Sequence, residues 1–244
     1  MIGLCTVTFR ELSVKDILHL AEKNQLEAIE WGGDVHLPPG DFETAEQIRK
    51  ESEKIGIKYT SYGSYYFLQD SQNFHEVLKT AKALGAKTIR VWAGKKDSKE
   101  ADNSYMKSLI QEAREIADLA AKEKIKIAFE YHSGTLTDTP EAAYRLINKI
   151  NHPNLSLYWQ PSEQLSVLER QESLKKLLPI ISNVHVFHWK DFYNRYSLKQ
   201  GETEWKSYLK LLQNKDRVYY FEFVKNDSVD QFISDLKTLR DWSE

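Results

Sequence analysis

The sequence predicts one α/β domain, a parallel (β/α)8 barrel over residues 1–244, and three observations carry the prediction. Eight short runs rich in β-branched and aromatic residues recur along the chain. Each is followed by a stretch with helical signals. The strand-like runs keep one face apolar while the other turns polar towards its C-terminal end.

Taken in order, the candidate strands are Ile2–Val7, Leu26–Trp31, Ile57–Gly63, Lys87–Ala93, Ile125–Tyr131, Leu155–Gln160, Asn183–His188 and Val218–Val224. Their starts lie 24 to 38 residues apart, room for one crossover helix per interval, as parallel neighbours require. Ser13-Val14-Lys15-Asp16 and Ser228-Val229-Asp230-Gln231 read as helix N-caps. Thr139-Pro140-Glu141 sets a capping hydroxyl before a proline suited to the first helical position. Between Asp102 and Lys124, Ala113, Ile116, Ala117 and Ala120 recur at spacings of three and four, one face of an amphipathic helix. No Gly/Ser-rich linker or low-complexity run divides the units, which favours closure over an open sheet.

Side chains alternate across a strand. Ile127 and Phe129 oppose Ala128 and Glu130; Leu155, Leu157 and Trp159 oppose Ser156, Tyr158 and Gln160. Ile89 and Val91 oppose Thr88, Arg90 and Trp92, while Tyr219, Phe221 and Phe223 oppose Val218, Tyr220 and Glu222. The apolar face is expected against the helix ring and the other inside the barrel, polar at the end where barrel enzymes work.

Composition narrows the function classes. Hydrophobic residues make up 41% and charged residues 29%, which excludes a disordered chain. The formal charge of -2, from 34 basic and 36 acidic residues, leaves no basic excess for nucleic acid. Cys5 is the lone cysteine, so no internal disulfide forms, and a reducing compartment fits. No apolar run reaches the roughly 18 residues of a membrane span, and residues 1–10 lack a signal-peptide pattern. A cytoplasmic protein, homo-oligomeric or not, is expected.

Four consecutive strand ends supply Glu130, Gln160, His185 and Glu222, spaced 30, 25 and 37 residues apart. Two carboxylates, an imidazole and an amide oxygen form a ligand set for one divalent cation. An inward carboxylate without a cation or partner is costly. His185 and His188, three residues apart, cannot both face the axis, and His185 lies deeper. Around the mouth, Glu30 and His36 after the second strand, Tyr62 and Tyr65 after the third, Arg90 and Trp92 on the fourth, and His132, His188 and Lys190 are candidate substrate contacts.

These stretches (Ala128-Phe129-Glu130-Tyr131-His132, Trp159-Gln160-Pro161, Val184-His185-Val186 and Phe221-Glu222-Phe223) resemble the xylose-isomerase-like TIM barrel superfamily along nearly the whole chain. The resemblance implies a sugar or sugar-phosphate isomerase or epimerase using one divalent metal (Mn, Mg, Co or Zn). In that scheme Glu130 and Glu222 are both ligands and catalytic proton carriers through an enediolate. Gln160 stands where the family has Asp, and Glu163 where a His often follows, so a weaker metal site or a non-catalytic, metal-free sugar-binding barrel is the alternative. An endonuclease IV-like repair enzyme also shares the superfamily, but it needs more His and Asp ligands than His36, His132, His185 and His188 supply near the mouth, and the charge is not basic.

Overall fold

The computed structural model describes residues 1–213 and 217–243. Its strands are β1 (Ile2–Cys5), β2 (Ala28–Gly32), β3 (Tyr59–Phe67), β4 (Thr88–Trp92), β5 (Lys126–Glu130), β6 (Leu155–Trp159), β7 (Ile181–Val186), β8 (Trp189–Asp191), β9 (Asn194–Arg195) and β10 (Val218–Phe221). The helices are α1 (Val14–Lys23), α2 (Phe42–Lys54), α3 (Phe74–Leu84), α4 (Asn103–Lys122), α5 (Pro140–Ile150), α6 (Val167–Leu177), α7 (Glu202–Leu212) and α8 (Val229–Ser243). Eight strands close in the order β1-β10-β7-β6-β5-β4-β3-β2, all parallel. The expected barrel is the fold.

Local signals act where the sequence places them. The Ser13 side chain accepts from the Asp16 amide in a capping box, and Thr139 accepts from the Ala142 amide with Pro140 in the first turn. The Gln231 amide donates to Ser228 Oγ at 3.3 Å. On α4, Ala113, Ile116, Ala117 and Ala120 are buried.

The two strand faces separate into two cores. Ile29, Trp31, Ile89, Val91, Ile127, Phe129, Leu157, Trp159, Val184 and Phe221 pack outward under the helices. Cys5, Val7, Ala28, Ala128, Tyr158, Val218 and Tyr220 fill the barrel interior. The interior is therefore a packed plug, closed below and polar above.

Several boundaries differ from expectation. β1 stops at Cys5 because Thr6–Phe9 wind into a 3-10 turn. β3 runs on to Phe67 through a register shift between Gly63 and Tyr66. β7 starts at Ile181, two residues before Asn183, and ends at Val186, so His188 lies beyond it. The antiparallel hairpin β8–β9 was not foreseen; its Asp191 side chain accepts from the Tyr193 and Asn194 amides across the turn. Among the described residues no helix is long and apolar enough to cross a membrane.

Candidate metal centre and its cavity

The centre stands on a dry charged floor. Arg90, on the inward face of β4, is 1% exposed and lies between Glu30 of β2 and Glu130 of β5. Its Nε donates to Glu30 Oε1 at 2.8 Å, and its Nη1 donates to Glu130 Oε2. Ser61 Oγ donates to Glu30 Oε2 at 3.1 Å and Cys5 Sγ to Glu30 Oε1 at 3.3 Å. Burial opposes the charge on Glu30, but Arg90 and then His185 outweigh it and hold its pKa well below the usual carboxylate range. At Gly63 a Cβ would come within 2.8 Å of Arg90 Nη2, so the strand beside this pair has no room for a side chain.

Above the floor, three oxygens crowd one ring nitrogen. His185 Nδ1 lies 3.0 Å from Gln160 Oε1, 3.2 Å from Glu222 Oε2 and 3.8 Å from Glu130 Oε1. A single N–H can satisfy only one of them. Four ligands about 2.1 Å from a tetrahedral ion stand about 3.4 Å apart, a spacing those three distances bracket. Oxygen-rich donors with one imidazole suit Mn, Mg, Co or Zn. The residues therefore fit a divalent cation.

Each candidate ligand is positioned by its surroundings. Glu130 ends β5 with one oxygen held by Arg90 and the other turned to His185. The His185 ring is 0% exposed and sits edge-on to Tyr158, ring centroids 5.4 Å apart. Gln160 and Glu222 lie just past their strands. Glu222 is followed by Phe223 at φ 47°, a left-handed conformation that a bulky residue adopts only when held there. The Phe223 amide donates to Thr8 Oγ1 at 3.0 Å, and its carbonyl accepts from Trp189 Nε1 at 3.1 Å.

Without a cation these charges pair with one another. Burial pulls the His185 pKa down, but Glu222 and Glu30 push it up to about 10. Burial likewise opposes the charge on Glu222, and His185 outweighs it to hold the carboxyl low.

Cys5, Glu30 and His185 form a second triad with donor atoms within 4.8 Å of one another. Burial, then Glu30, raises the Cys5 thiol pKa well above its ordinary value, so the thiol keeps its proton. Arg90 already occupies Glu30. The upper set is the better cation site.

A cavity of about 260 Å³ opens beside Gln160, lined by His132, Asp138, Glu163, Gln164, Phe187, Trp189 and Phe192 among others. His132 leans on Trp92, ring centroids 4.4 Å apart, and Tyr65 lies 6.2 Å from the same indole. His132, Trp92 and Tyr65 thus gather at the mouth of β3–β5, as the sequence suggests.

Other expected substrate contacts lie elsewhere. Glu30 and Arg90 are sealed in the floor by their own ion pair. Tyr62 points to the helix side, is 0% exposed and donates its hydroxyl to the Leu37 carbonyl at 2.9 Å. His36 has both ring nitrogens engaged, by Thr6 Oγ1 and the Leu12 carbonyl, each at 2.9 Å. His188 packs against Gly201, where a Cβ would approach its Nδ1 to 2.6 Å. Lys190 is exposed on β8 outside the cavity lining. Sequence reasoning missed Phe187, Trp189 and Phe192 as wall residues, and noted Glu163 only as a departure; they come from loops and the β8–β9 hairpin, outside the alternation of the barrel strands.

A curated relative, the 3-dehydroshikimate dehydratase of Bacillus anthracis, is 27% identical over 200 residues, 75% of this chain and 70% of that one. The crystal structure of the probable 3-DHS dehydratase involved in petrobactin synthesis, also from Bacillus anthracis, superposes with a TM-score of 0.82 at 21% identity and covers 98% of each chain. A 1.8 Å structure of IolI protein with a bound zinc atom gives 0.77 at 20% identity, covering 99% of this chain and 97% of that one. The family model described as xylose isomerase-like TIM barrel matches residues 18–242, and the chain belongs to that family.

Proposed function

We propose that the chain is a divalent-metal-dependent enzyme that removes a proton beside a carbonyl of a small hydroxylated compound, with dehydration as its leading outcome. The observation that carries this is the crowding of three oxygens around His185 Nδ1 beside an open cavity. The similarity to a 3-dehydroshikimate dehydratase supports elimination as the outcome.

Glu130, Gln160, His185 and Glu222 would hold the cation. When bound, it polarises a carbonyl and an adjacent hydroxyl and offsets the negative charge that follows proton loss. The chain's own base is then His132. Its Nδ1 lies 2.5 Å from the Ser133 carbonyl, which makes Nδ1 the protonated nitrogen and leaves the Nε2 lone pair for a substrate proton. The proton taken from carbon can return to a departing β-hydroxyl, releasing water and leaving a C=C bond. Returned instead to the neighbouring carbon, it completes an isomerisation, the second reading. In this reading Glu130, one oxygen of which Arg90 holds, and Glu222 serve as ligands, whereas the resemblance makes them the proton carriers.

The test equilibrates the protein with Mn²⁺, measures retained metal by mass spectrometry, and assays 3-dehydroshikimate dehydration beside a panel of ketose interconversions. Metal-dependent turnover that His132→Asn abolishes supports the proposal. No stoichiometric metal and no turnover on any compound overturns it.

A further inference from the structure

Resting on that reading, we propose that Asp97 is a positioning residue for the base: by holding the Ser133–Gly134 peptide it fixes the tautomer in which His132 Nε2 can take a proton. Asp97 Oδ1 accepts from the Gly134 amide at 2.8 Å, and the carbonyl of that same peptide, on Ser133, accepts from His132 Nδ1 at 2.5 Å. Carboxylate, peptide and imidazole thus form one chain of hydrogen bonds. A charged acceptor at one end polarises the peptide and strengthens its carbonyl as an acceptor at the other.

The other contacts of His132 do not choose its tautomer. Its ring leans on Trp92 and its carbonyl accepts from Thr135 Oγ1 at 2.8 Å, but neither contact decides which ring nitrogen carries the proton. Gly134, at φ 75° and with nothing within 4 Å of where a Cβ would stand, gives the Ser133–Gly134 peptide little steric resistance to flipping. A flip would present an N–H to His132 in place of the carbonyl. It would draw out the opposite tautomer, with the proton on Nε2 and no lone pair there for the substrate. An ionised carboxylate accepts and does not donate, so Asp97 holds the peptide in the orientation that keeps Nε2 open.

Asp97 is itself held in place. It is half-buried in the loop from β4 to α4, which is stitched to the loop from β5 to α5. There the Leu136 amide donates to the Ala93 carbonyl and the Ser98 amide to Asp138 Oδ2, each at 3.0 Å. The neighbouring lysines turn elsewhere: Lys95 pairs with Asp70 at 2.6 Å, and Lys96 Nζ lies 4.8 Å from the Tyr105 ring centroid. Neither draws the Asp97 carboxylate away from the Gly134 amide.

The test reads the His132 tautomer by long-range proton–nitrogen NMR correlation on the nitrogen-15-labelled chain at about pH 9, with Mg²⁺ present in place of paramagnetic Mn²⁺. His132→Asn assigns the signal. The wild-type ring should carry its proton on Nδ1. Asp97→Ala should shift the population towards the Nε2–H form, and Asp97→Asn, which keeps an acceptor oxygen, should restore part of it. Asp138→Ala breaks the neighbouring stitch and should leave the tautomer in place. In turnover, kcat of Asp97→Ala should fall about tenfold with KM within about twofold, and unfolding midpoints should confirm that the variants fold. A wild-type ring protonated on Nε2, a tautomer unmoved in Asp97→Ala, one lost equally in Asp138→Ala, or a tautomer shift that leaves kcat unchanged overturns the proposal. A wild type that turns over no compound while Asp97 still sets the tautomer counts against proton abstraction and leaves the control by Asp97 standing.

Discussion

The floor of the barrel and the wall of its cavity are built on opposite terms. On the floor, Glu30, Arg90 and Glu130 come from the barrel strands themselves, are at most 3% exposed, and place most of their polar atoms against one another. On the wall, His132, Glu163, Phe187 and Phe192 come from segments beyond strand ends, and Glu163 stands exposed. The contrast teaches that rigid, desolvated charge fixes where ligand atoms stand, while loops decide what reaches them.

Breaking the floor should have the largest effect. Arg90→Met leaves Glu30 and Glu130 buried without their cation, and removal of one partner from such a pair costs about 3–5 kcal/mol. Urea denaturation should show that loss, and adding Glu30→Gln should recover part of it. Recovery is expected because the double variant removes one of the two stranded charges.

Disturbing the wall should spare stability and strike activity. His132→Asn should lower kcat by about 10²–10⁴, the usual worth of a general base, with Mn²⁺ affinity and unfolding midpoint close to wild type. A parallel loss of metal binding would show that His132 belongs to the floor's machinery instead.

Between floor and wall stands Gln160, the neutral member of the proposed ligand set. Gln160→Asp adds a negative charge to the cation site and should tighten Mn²⁺ binding by about tenfold or more, read by competition with a chelator. Metal uptake should also report on His185. Its pKa of about 10 in the cation-free protein means a proton must leave before Nδ1 can coordinate. Between pH 6.5 and 8.5 the apparent affinity should therefore rise about tenfold per pH unit, with one proton released per ion. For folding of the cation-free protein the sign is the reverse. A raised imidazole pKa stabilises the fold fully below about pH 6.5, and that share is lost as pH climbs towards 10. Thermal scans across that range should show a falling midpoint, smaller in His185→Gln.

The same division explains what could be read from the sequence. Period-two alternation is a local property, so the inward placing of Glu130, His185 and Arg90 was legible from strands alone. Whether an inward charge meets a ligand or another side chain is not local. Arg90 and Glu30 find each other across 60 positions of chain, and nothing near either residue announces it. Tyr62 lay on the outward parity beside inward Ser61, a signal present in the strand but outweighed by its place near the mouth. His36 depends on Thr6 and Leu12, held close by a 3-10 turn that replaces the expected end of β1. The hairpin did leave a trace, Asp191 and Asn194 flanking Phe192-Tyr193, a turn signature inside an aromatic run.

The account turns on one ion at one place. Anomalous diffraction from crystals soaked in Mn²⁺ locates it directly. The predicted result is a single peak within coordination distance of Glu130, Gln160, His185 and Glu222 together. A peak between Cys5, Glu30 and His185, or no peak in the barrel at all, would contradict it.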